Sequence, residues 1–210
     1  MLSLNNISIE IHGKNIISNL SCDLDAGSIC YIIGKNGSGK TSLLKAIAGI
    51  KSLKSGSISI FKHEIAELQK PYCLYIGHEN ALDPSLLVED QLTFWAKSYN
   101  SFNLIAATIE YWRLREYLQL PCAYLSKGLS QKVSLSRLIC SHADIWLLDE
   151  SDANLDSNNL KLLHNAVISK ANSGGIVLMS THGKIEIESA KILDLNQNIP
   201  KLCDFHELRQ

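Results

Sequence analysis

The feature that most constrains the fold is a glycine-rich segment, residues 34–41, which separates two stretches of different periodicity. The preceding run, Ile29 to Ile33, is short and continuously apolar, which predicts a buried β-strand. The following stretch, Lys40 to Ala48, has the apolar spacing of a helix. A buried strand, a tight turn and a helix in this order are typical of an α/β protein with a parallel sheet.

The glycine-rich segment fits the pattern G-x-x-x-x-G-K-[ST]. Its residues are Gly34, Lys35, Asn36, Gly37, Ser38, Gly39, Lys40 and Thr41. The glycines allow backbone N–H groups to converge on phosphate oxygens, Lys40 can reach the β- and γ-phosphates, and the Thr41 hydroxyl can coordinate Mg²⁺. The segment therefore predicts that the chain binds a nucleotide together with Mg²⁺.

The rest of the chain indicates the same fold class. Alternating apolar residues from Leu2 to Ile11 predict a half-buried strand. Residues 81–138 have mainly helical periodicity, which is clearest in two predicted helices, Val88 to Lys97 and Leu104 to Leu118. Short apolar runs predict further buried strands at Tyr72 to Ile76, Ile145 to Leu148, Ile176 to Met179 and Ile192 to Leu195. We predict a single domain over residues 1–210, in which 1–80 and 139–210 form an α/β core and 81–138 form a helical subdomain.

Two carboxylates follow one of these apolar runs, because Ile145 to Leu148 leads into Asp149 and Glu150. Adjacent acids at a buried strand end repel each other unless a cation shares the site, and Mg²⁺ supplies such a charge. We predict that Asp149 supports the metal and that Glu150 polarises the attacking water. His182 follows the strand that ends near Met179, so we expect it at the same edge of the sheet, in contact with the γ-phosphate.

The bulk composition narrows the classes of partner. The formal net charge is −1 and the basic residues are scattered, which argues against a nucleic-acid partner. A membrane-spanning helix needs about 20 apolar residues, and the apolar runs here are much shorter, so a membrane role is predicted to require a partner. The cysteines are widely separated in the sequence, so we predict that they are reduced thiols in the cytosol and are buried as small apolar side chains. They are Cys22, Cys30, Cys73, Cys122, Cys140 and Cys203.

The segment from Leu125 to Val133, with its continuation to Arg137, resembles the signature of ABC ATPases, usually L-S-G-G-Q-x-Q-R-V-x-x-A-R. Gln131 and Lys132 fix the register of this resemblance, and Asn154 to Asp156 resembles the D-loop of the same family. Together with the phosphate loop and the acidic strand end, the likeness extends over almost the whole chain.

This resemblance implies the ABC type of P-loop NTPase fold, with a mainly parallel sheet, N-terminal antiparallel strands and a helical subdomain. It implies ATP hydrolysis by a homodimer that closes around two ATP molecules. Ser126 and the Gly128 amide at a helix start would then face the nucleotide of the second copy, with Asp156 at the same interface. Glu79 stands where the family usually has a glutamine that contacts Mg²⁺ and the attacking water.

A narrower likeness begins at Tyr75 to Glu79 and continues through Leu86, Val88, Glu89 and the stretch from Leu92 to Ala96. These residues resemble the ATPase subunits of cytochrome c maturation systems, often described as haem exporters. The resemblance implies integral membrane partner subunits and a peripheral position at the cytoplasmic face of the inner membrane. It implies that ATP hydrolysis serves haem delivery, and it implies no direct haem contact by this chain.

Some positions depart from the family pattern. Besides Glu79, these are Lys127 and Leu129 in the signature, Ser151 after the acidic pair, and His12 near the usual adenine-stacking aromatic. A nucleotide-sensing subunit, a soluble ABC ATPase and the ATPase of another ABC transporter are the alternatives. Glu150 and His182 argue against a nucleotide-sensing subunit, and the lack of tandem modules argues against a soluble ABC ATPase. Another transporter remains open because membrane subunits select the cargo.

We expect the helical subdomain to carry the docking surface for a membrane subunit. Its loop around Pro84, from Leu82 to Leu87, contains several leucines, and a loop has little reason to bury them all internally. Leu92 and Trp95 lie three residues apart on a predicted helix, and they fit the subdomain's own core equally well.

Overall fold

The computed structural model describes residues 1–60, 63–64, 72–181, 186–196 and 201–204. Its strands are β1 Leu2–Ile11, β2 Lys14–Leu24, β3 Ile29–Ile33, β4 Ser55–Ile60, β5 His63–Glu64, β6 Cys73–Ile76, β7 Ile145–Asp149, β8 Ile176–Ser180, β9 Lys191–Asp194 and β10 Lys201–Asp204. Its helices are α1 Lys40–Ile47, α2 Val88–Ser98, α3 Ile105–Tyr111, α4 Lys127–Leu135, α5 Arg137–Cys140 and α6 Ser157–Asn172. Short 3₁₀ turns lie at Phe102–Leu104, Arg115–Tyr117 and Cys122–Tyr124.

The N-terminal strands form an antiparallel sheet in the order β2-β1-β4-β5. In β1 the apolar residues Leu2, Leu4, Ile7 and Ile9 are all buried. The register shifts between Leu4 and Ile7 where β1 pairs with β2, so the strand keeps its apolar face buried across an irregularity. The predicted half-buried N-terminal strand is confirmed.

The second sheet has the order β10-β9-β3-β8-β7-β6, and its five strands from β9 to β6 run parallel. Within this sheet, among the described strands, β10 alone is antiparallel to its neighbour, β9. The predicted α/β class is confirmed. Because parallel strands end at the same edge, the segments that follow β3, β6, β7 and β8 meet there.

Helix α1 lies between the two sheets. Its residues Leu43, Leu44 and Ile47 are buried in one cluster with apolar residues of β1, β2, β3 and β7. A second cluster covers the opposite face of the parallel sheet and joins Trp146 of β7 to α6 and to the helices of residues 81–138. The segment predicted to be a helical subdomain therefore shares an apolar core with the sheet.

The segment from Leu104 to Leu118 is not the continuous helix that its periodicity predicts. Helix α3 ends at Tyr111, Arg113 has a φ of +50°, and a separate 3₁₀ turn follows. Trp112 and Leu114, on either side of Arg113, are both fully buried. Burying these two neighbouring side chains requires the chain to turn, so tertiary packing overrides the local helical preference.

Leu92 and Trp95 are both buried in the core, so they are not candidates for a docking surface. The six cysteines are free thiols, three of them buried and three half-buried. Burial, followed by the charge of Asp23, raises the pKa of Cys22 to about 11, which keeps this thiol protonated. In the described part of the chain, no helix has the length and apolarity needed to cross a membrane.

Candidate functional site

The predicted phosphate loop follows β3 and leads directly into α1 at the carboxyl edge of the parallel sheet. Residues 36–42 line a cavity of about 260 Å³ together with Ile11 and Glu150. The Ser38 hydroxyl is buried in this loop and has no hydrogen-bond partner among the described residues. A buried donor without a partner is costly, so the loop is suited to bind an oxygen-rich ligand.

Gly39 is the residue at which the loop becomes helix. Its φ is +102°, a conformation that L side chains rarely adopt, and it forms the N-cap of α1. A Cβ atom at this position would lie 2.7 Å from Cγ2 of Ile16 in β2. Both the backbone conformation and the close approach of β2 therefore require glycine here.

The Lys40 side chain bends back over the loop. Its ammonium group donates a hydrogen bond of 2.9 Å to the Gly34 carbonyl, and the residue is only 5% exposed. A second anchor reaches the loop from the segment that follows β9, because the Lys35 N–H donates to the Asn196 side chain at 2.9 Å. Asn196 in turn donates to Asp194 through its backbone and side-chain nitrogens.

Asp149 lies at the end of β7 with only 1% of its surface exposed. The Tyr75 hydroxyl donates to its Oδ2 at 3.1 Å, and the Ser180 hydroxyl donates to its Oδ1 at 2.7 Å. Burial, and next the charge of Asp149, raises the pKa of Tyr75, so the phenol stays protonated and donates. The carboxylate is thus held from two neighbouring strands, β6 and β8.

Glu150 turns out of the sheet. Its φ is +50°, and its backbone N–H bonds to both the carbonyl (3.1 Å) and the hydroxyl (3.0 Å) of Ser180. Its side chain lines the phosphate-loop cavity, and Oε2 lies 3.6 Å from Nε2 of His78. The two adjacent acids therefore face different surroundings, Asp149 in the sheet and Glu150 in the cavity.

The chemistry of these groups fits Mg²⁺. The partners of the buried Asp149 carboxylate named above are neutral hydroxyls, so its negative charge is left for a cation to balance. Thr41, whose side chain carries a hydroxyl, lines the cavity. Mg²⁺ prefers hard oxygen ligands of this kind and retains several waters.

The signature segment lies apart from the phosphate-loop cavity. Ser126 is the N-cap of α4 and accepts the Leu129 N–H at 3.3 Å. A Cβ at Gly128 would lie 3.0 Å from the Asn154 carbonyl, so the signature packs against the segment that resembles a D-loop. Asp156 is the N-cap of α6 and accepts the Asn159 N–H at 2.8 Å.

Glu79 and His182 are the remaining predicted site residues. Glu79 is exposed beyond the end of β6 and is not among the residues that line the cavity. His182 lies outside the described residues. The preceding residue, Thr181, is buried at the end of β8 and donates a hydrogen bond to the Asp152 carboxylate.

Five residues at the site had no predicted role. Ile11 and Ser42 line the cavity, His78 lies beside Glu150, and Tyr75 and Ser180 hold Asp149. His78 and Tyr75 belong to the segment that resembles cytochrome c maturation ATPases. That resemblance was the only feature of the sequence that pointed to them. The pairing of Asp149 with Ser180 follows from the neighbouring positions of β7 and β8.

Comparison with known proteins agrees with this geometry. A family model described as ABC transporter matches residues 17–153. The cytochrome c biogenesis ATP-binding export protein CcmA of Rickettsia bellii is 45% identical over 195 residues, which are 93% of this chain and 100% of the relative. The protein of the same name from Wolbachia pipientis wMel is 35% identical over 208 residues, which are 98% of this chain and 94% of the relative.

Solved structures agree in fold. The ATP-binding subunit of an ABC transporter superposes with a TM-score of 0.88 at 23% identity, covering 100% of this chain and 92% of the other. A putative ABC transporter ATP-binding protein from Pyrococcus furiosus gives a TM-score of 0.81 at 22% identity, covering 92% of this chain and 96% of the other. The resemblance to ABC ATPases inferred from the sequence is confirmed. The chain belongs to the ABC transporter family of ATP-hydrolysing proteins, in the group of cytochrome c biogenesis ATP-binding export proteins.

Proposed function

We propose that this chain is the ATP-hydrolysing subunit of a cytochrome c biogenesis export complex, and that hydrolysis is coupled to haem export or to haem release at its chaperone. The observation that carries the proposal is the cavity that residues 36–42 share with Glu150, in a chain 45% identical to a protein named for this process. The chain itself would contact neither haem nor nucleic acid.

Within one protomer, the loop N–H groups and Lys40 would bind the β- and γ-phosphates of ATP. Lys40 would exchange its bond to the Gly34 carbonyl for phosphate oxygens. Thr41 and Asp149 would hold Mg²⁺, which neutralises charge on the phosphate oxygens. Glu79 would join them after its exposed segment moves toward the cavity.

Glu150 would accept the proton of the attacking water as it approaches the γ-phosphorus. Its position in the cavity places a carboxylate next to the phosphate loop, and its anchored backbone restricts the side chain. His182 would contact the γ-phosphate from the residues that follow β8. Lys40 and the loop N–H groups would stabilise the negative charge that develops on the leaving ADP as its bond to the γ-phosphorus breaks.

Two copies of the chain would close around two ATP molecules. Ser126 and Gly128 lie outside the phosphate-loop cavity of their own chain, which is the arrangement that a contact across a dimer requires. The N-terminus of α4 offers N–H groups and a helix dipole to a phosphate of the second copy. Asp156 would lie at the same interface.

The membrane partner would dock on a seam between two segments, residues 84–87 and 120–124. The Cys122 N–H donates to the Leu86 carbonyl at 2.8 Å, and Leu87 pairs with Pro121. Leu86 and Leu87 are half-buried, whereas Leu120 and Tyr124 are exposed. A peripheral position at the cytoplasmic face of the inner membrane follows from this docking.

The test is genetic and biochemical. A cell that lacks the gene should lose covalently bound haem in its c-type cytochromes, measured by haem staining after denaturing electrophoresis. The wild-type gene should restore the staining, and a Glu150→Gln gene expressed at the same level should not. Normal haem staining in the deleted cell would assign the chain to another ABC system, which the membrane subunits that co-purify with it would identify.

A further inference from the structure

The Asp149 carboxylate owes its orientation to side chains that no motif identifies. Its Oδ1 accepts the Ser180 hydroxyl, and its Oδ2 accepts the Tyr75 hydroxyl. Ser180 also accepts the Glu150 N–H, so this residue serves both acids. The Tyr75 hydroxyl, by contrast, donates to Asp149, and Tyr75 lies two residues before the segment from Gly77 to Glu79.

The local structure is built to admit the Tyr75 ring. A Cβ at Gly77 would lie 2.9 Å from both Cε1 and the hydroxyl oxygen of Tyr75. The ring therefore lies across Gly77, and only a residue without a side chain leaves that space open. Gly77 has no positive φ, so its backbone does not by itself require glycine.

We propose that Tyr75 is a positioning residue for the metal, which acts by fixing the Asp149 carboxylate. The proposal deepens the proposed function, because it assumes that Asp149 supports nucleotide-bound Mg²⁺. A carboxylate that is held by hydrogen bonds presents its remaining lone pairs in one direction. Partners that orient metal ligands in this way typically contribute about 10- to 100-fold to metal affinity.

The location of Tyr75 adds a consequence for coupling. The same residue contacts Asp149 and precedes the exposed segment that ends at Glu79 and enters the helical insert. A movement of that segment would shift the tyrosine ring, and through it the carboxylate. The strength of metal binding would therefore respond to the position of the insert.

The experiment measures how strongly Mg²⁺ and nucleotide promote each other's binding. Calorimetric titration with a non-hydrolysable ATP analogue, once with Mg²⁺ and once with EDTA, gives two dissociation constants for the full-length chain. Their ratio is the coupling between the ligands and does not require turnover. We expect Tyr75→Phe to leave the EDTA value within about twofold and to reduce the coupling ratio about tenfold.

Two further variants separate positioning from structure. Tyr72→Phe makes the same chemical change just before β6, at the opposite edge of the sheet, and should keep the wild-type ratio. Gly77→Ala keeps the tyrosine but displaces its hydroxyl, and it should reduce the ratio as Tyr75→Phe does. Melting curves establish that each variant is folded.

The outcomes are distinct. An unchanged or larger ratio in folded Tyr75→Phe, with normal coupling in the wild-type chain, overturns the role of Tyr75 and leaves the proposed function intact. Absence of nucleotide binding by the wild-type chain overturns the proposed function itself. A reduced ratio in Tyr72→Phe as well would show a general effect of tyrosine loss and would contradict specific positioning.

Discussion

The side chains at the carboxyl edge of the sheet differ in position and burial. The bond from the Lys40 ammonium to the Gly34 carbonyl holds this cation at the glycine-rich loop. Asp149 is fixed and buried, whereas the adjacent Glu150 faces the cavity. The different surroundings of these two neighbouring carboxylates are consistent with the roles proposed for them, metal support for Asp149 and water activation for Glu150.

Lys40→Ala should raise the dissociation constant for ATP about 10- to 100-fold. The variant loses one or two charge-assisted hydrogen bonds to phosphate, each worth about 1.5–3 kcal/mol. Equilibrium binding of a fluorescent ATP analogue measures the change, and Lys45→Ala in the last turn of α1 is a matched control. Wild-type affinity in Lys40→Ala would contradict the assignment of the phosphate loop.

Glu150→Gln should keep ATP affinity within about threefold and lower turnover by about 10²- to 10⁴-fold. The amide preserves the shape of the side chain but accepts no proton from water. Phosphate release under saturating ATP measures the rate, and Glu188→Gln serves as a control for the loss of a carboxylate elsewhere. Wild-type turnover in Glu150→Gln would move the role of base to another residue, with His182 the first candidate.

Among the elements, helices α4 and α6 are capped by residues that are predicted to contact nucleotide in the dimer. Ser126 caps α4, and Asp156 caps α6. Capping satisfies backbone N–H groups within one chain, whereas nucleotide contact would appear only in the dimer. Substitutions that separate charge from capping therefore distinguish the two roles.

Asp156→Ala should lower the free energy of unfolding by about 1 kcal/mol, because α6 loses its N-cap. Asp156→Asn should stay within about 0.5 kcal/mol of the wild-type value, since asparagine caps helices equally well. Urea denaturation measures both. If Asp156 also acts at the dimer interface, Asp156→Asn should slow ATP turnover without loss of stability, and a wild-type rate would restrict Asp156 to capping.

At the scale of the whole molecule, the helical insert combines a shared core with an exposed seam. Leu92, Trp95, Trp112 and Leu114 are buried against the parallel sheet, so the insert is anchored on it. Tyr124, on the seam of residues 84–87 and 120–124, is 81% exposed. An exposed aromatic residue beside half-buried leucines is suited to contact a partner.

Tyr124→Glu should release the chain from membranes that contain its partner subunits, while its melting temperature and ATP affinity remain unchanged. The side chain is exposed, so a charge there costs the free chain little, but a charge buried in an interface without a partner is costly. Co-sedimentation with those membranes measures retention. Ile168→Glu, at an exposed position on α6, is the matched control.

Retention of folded Tyr124→Glu at the wild-type level would place the docking surface elsewhere. Leu86→Glu and Leu87→Glu then test the adjoining part of the seam. These leucines are half-buried, so their melting curves must accompany the sedimentation result. If either variant has lost stability, its release from membranes is explained by unfolding and not by loss of docking.

The sequence by itself determined the α/β class, the phosphate loop and the acidic strand end. Each depends on residues close together in the chain: a buried strand, a glycine turn and a helix, or an apolar run followed by Asp149 and Glu150. Backbone geometry and burial determine local patterns of this kind, so the elements can be predicted without knowledge of distant contacts.

The tertiary structure alone decided which distant residues meet at the site. Tyr75 and Ser180 reach Asp149 because β6 and β8 flank β7. No local sequence pattern predicts this strand order. The break at Arg113 arises in the same way, since the sheet and insert bury both Trp112 and Leu114. Long-range packing selects among locally similar conformations by the apolar surface that each one buries.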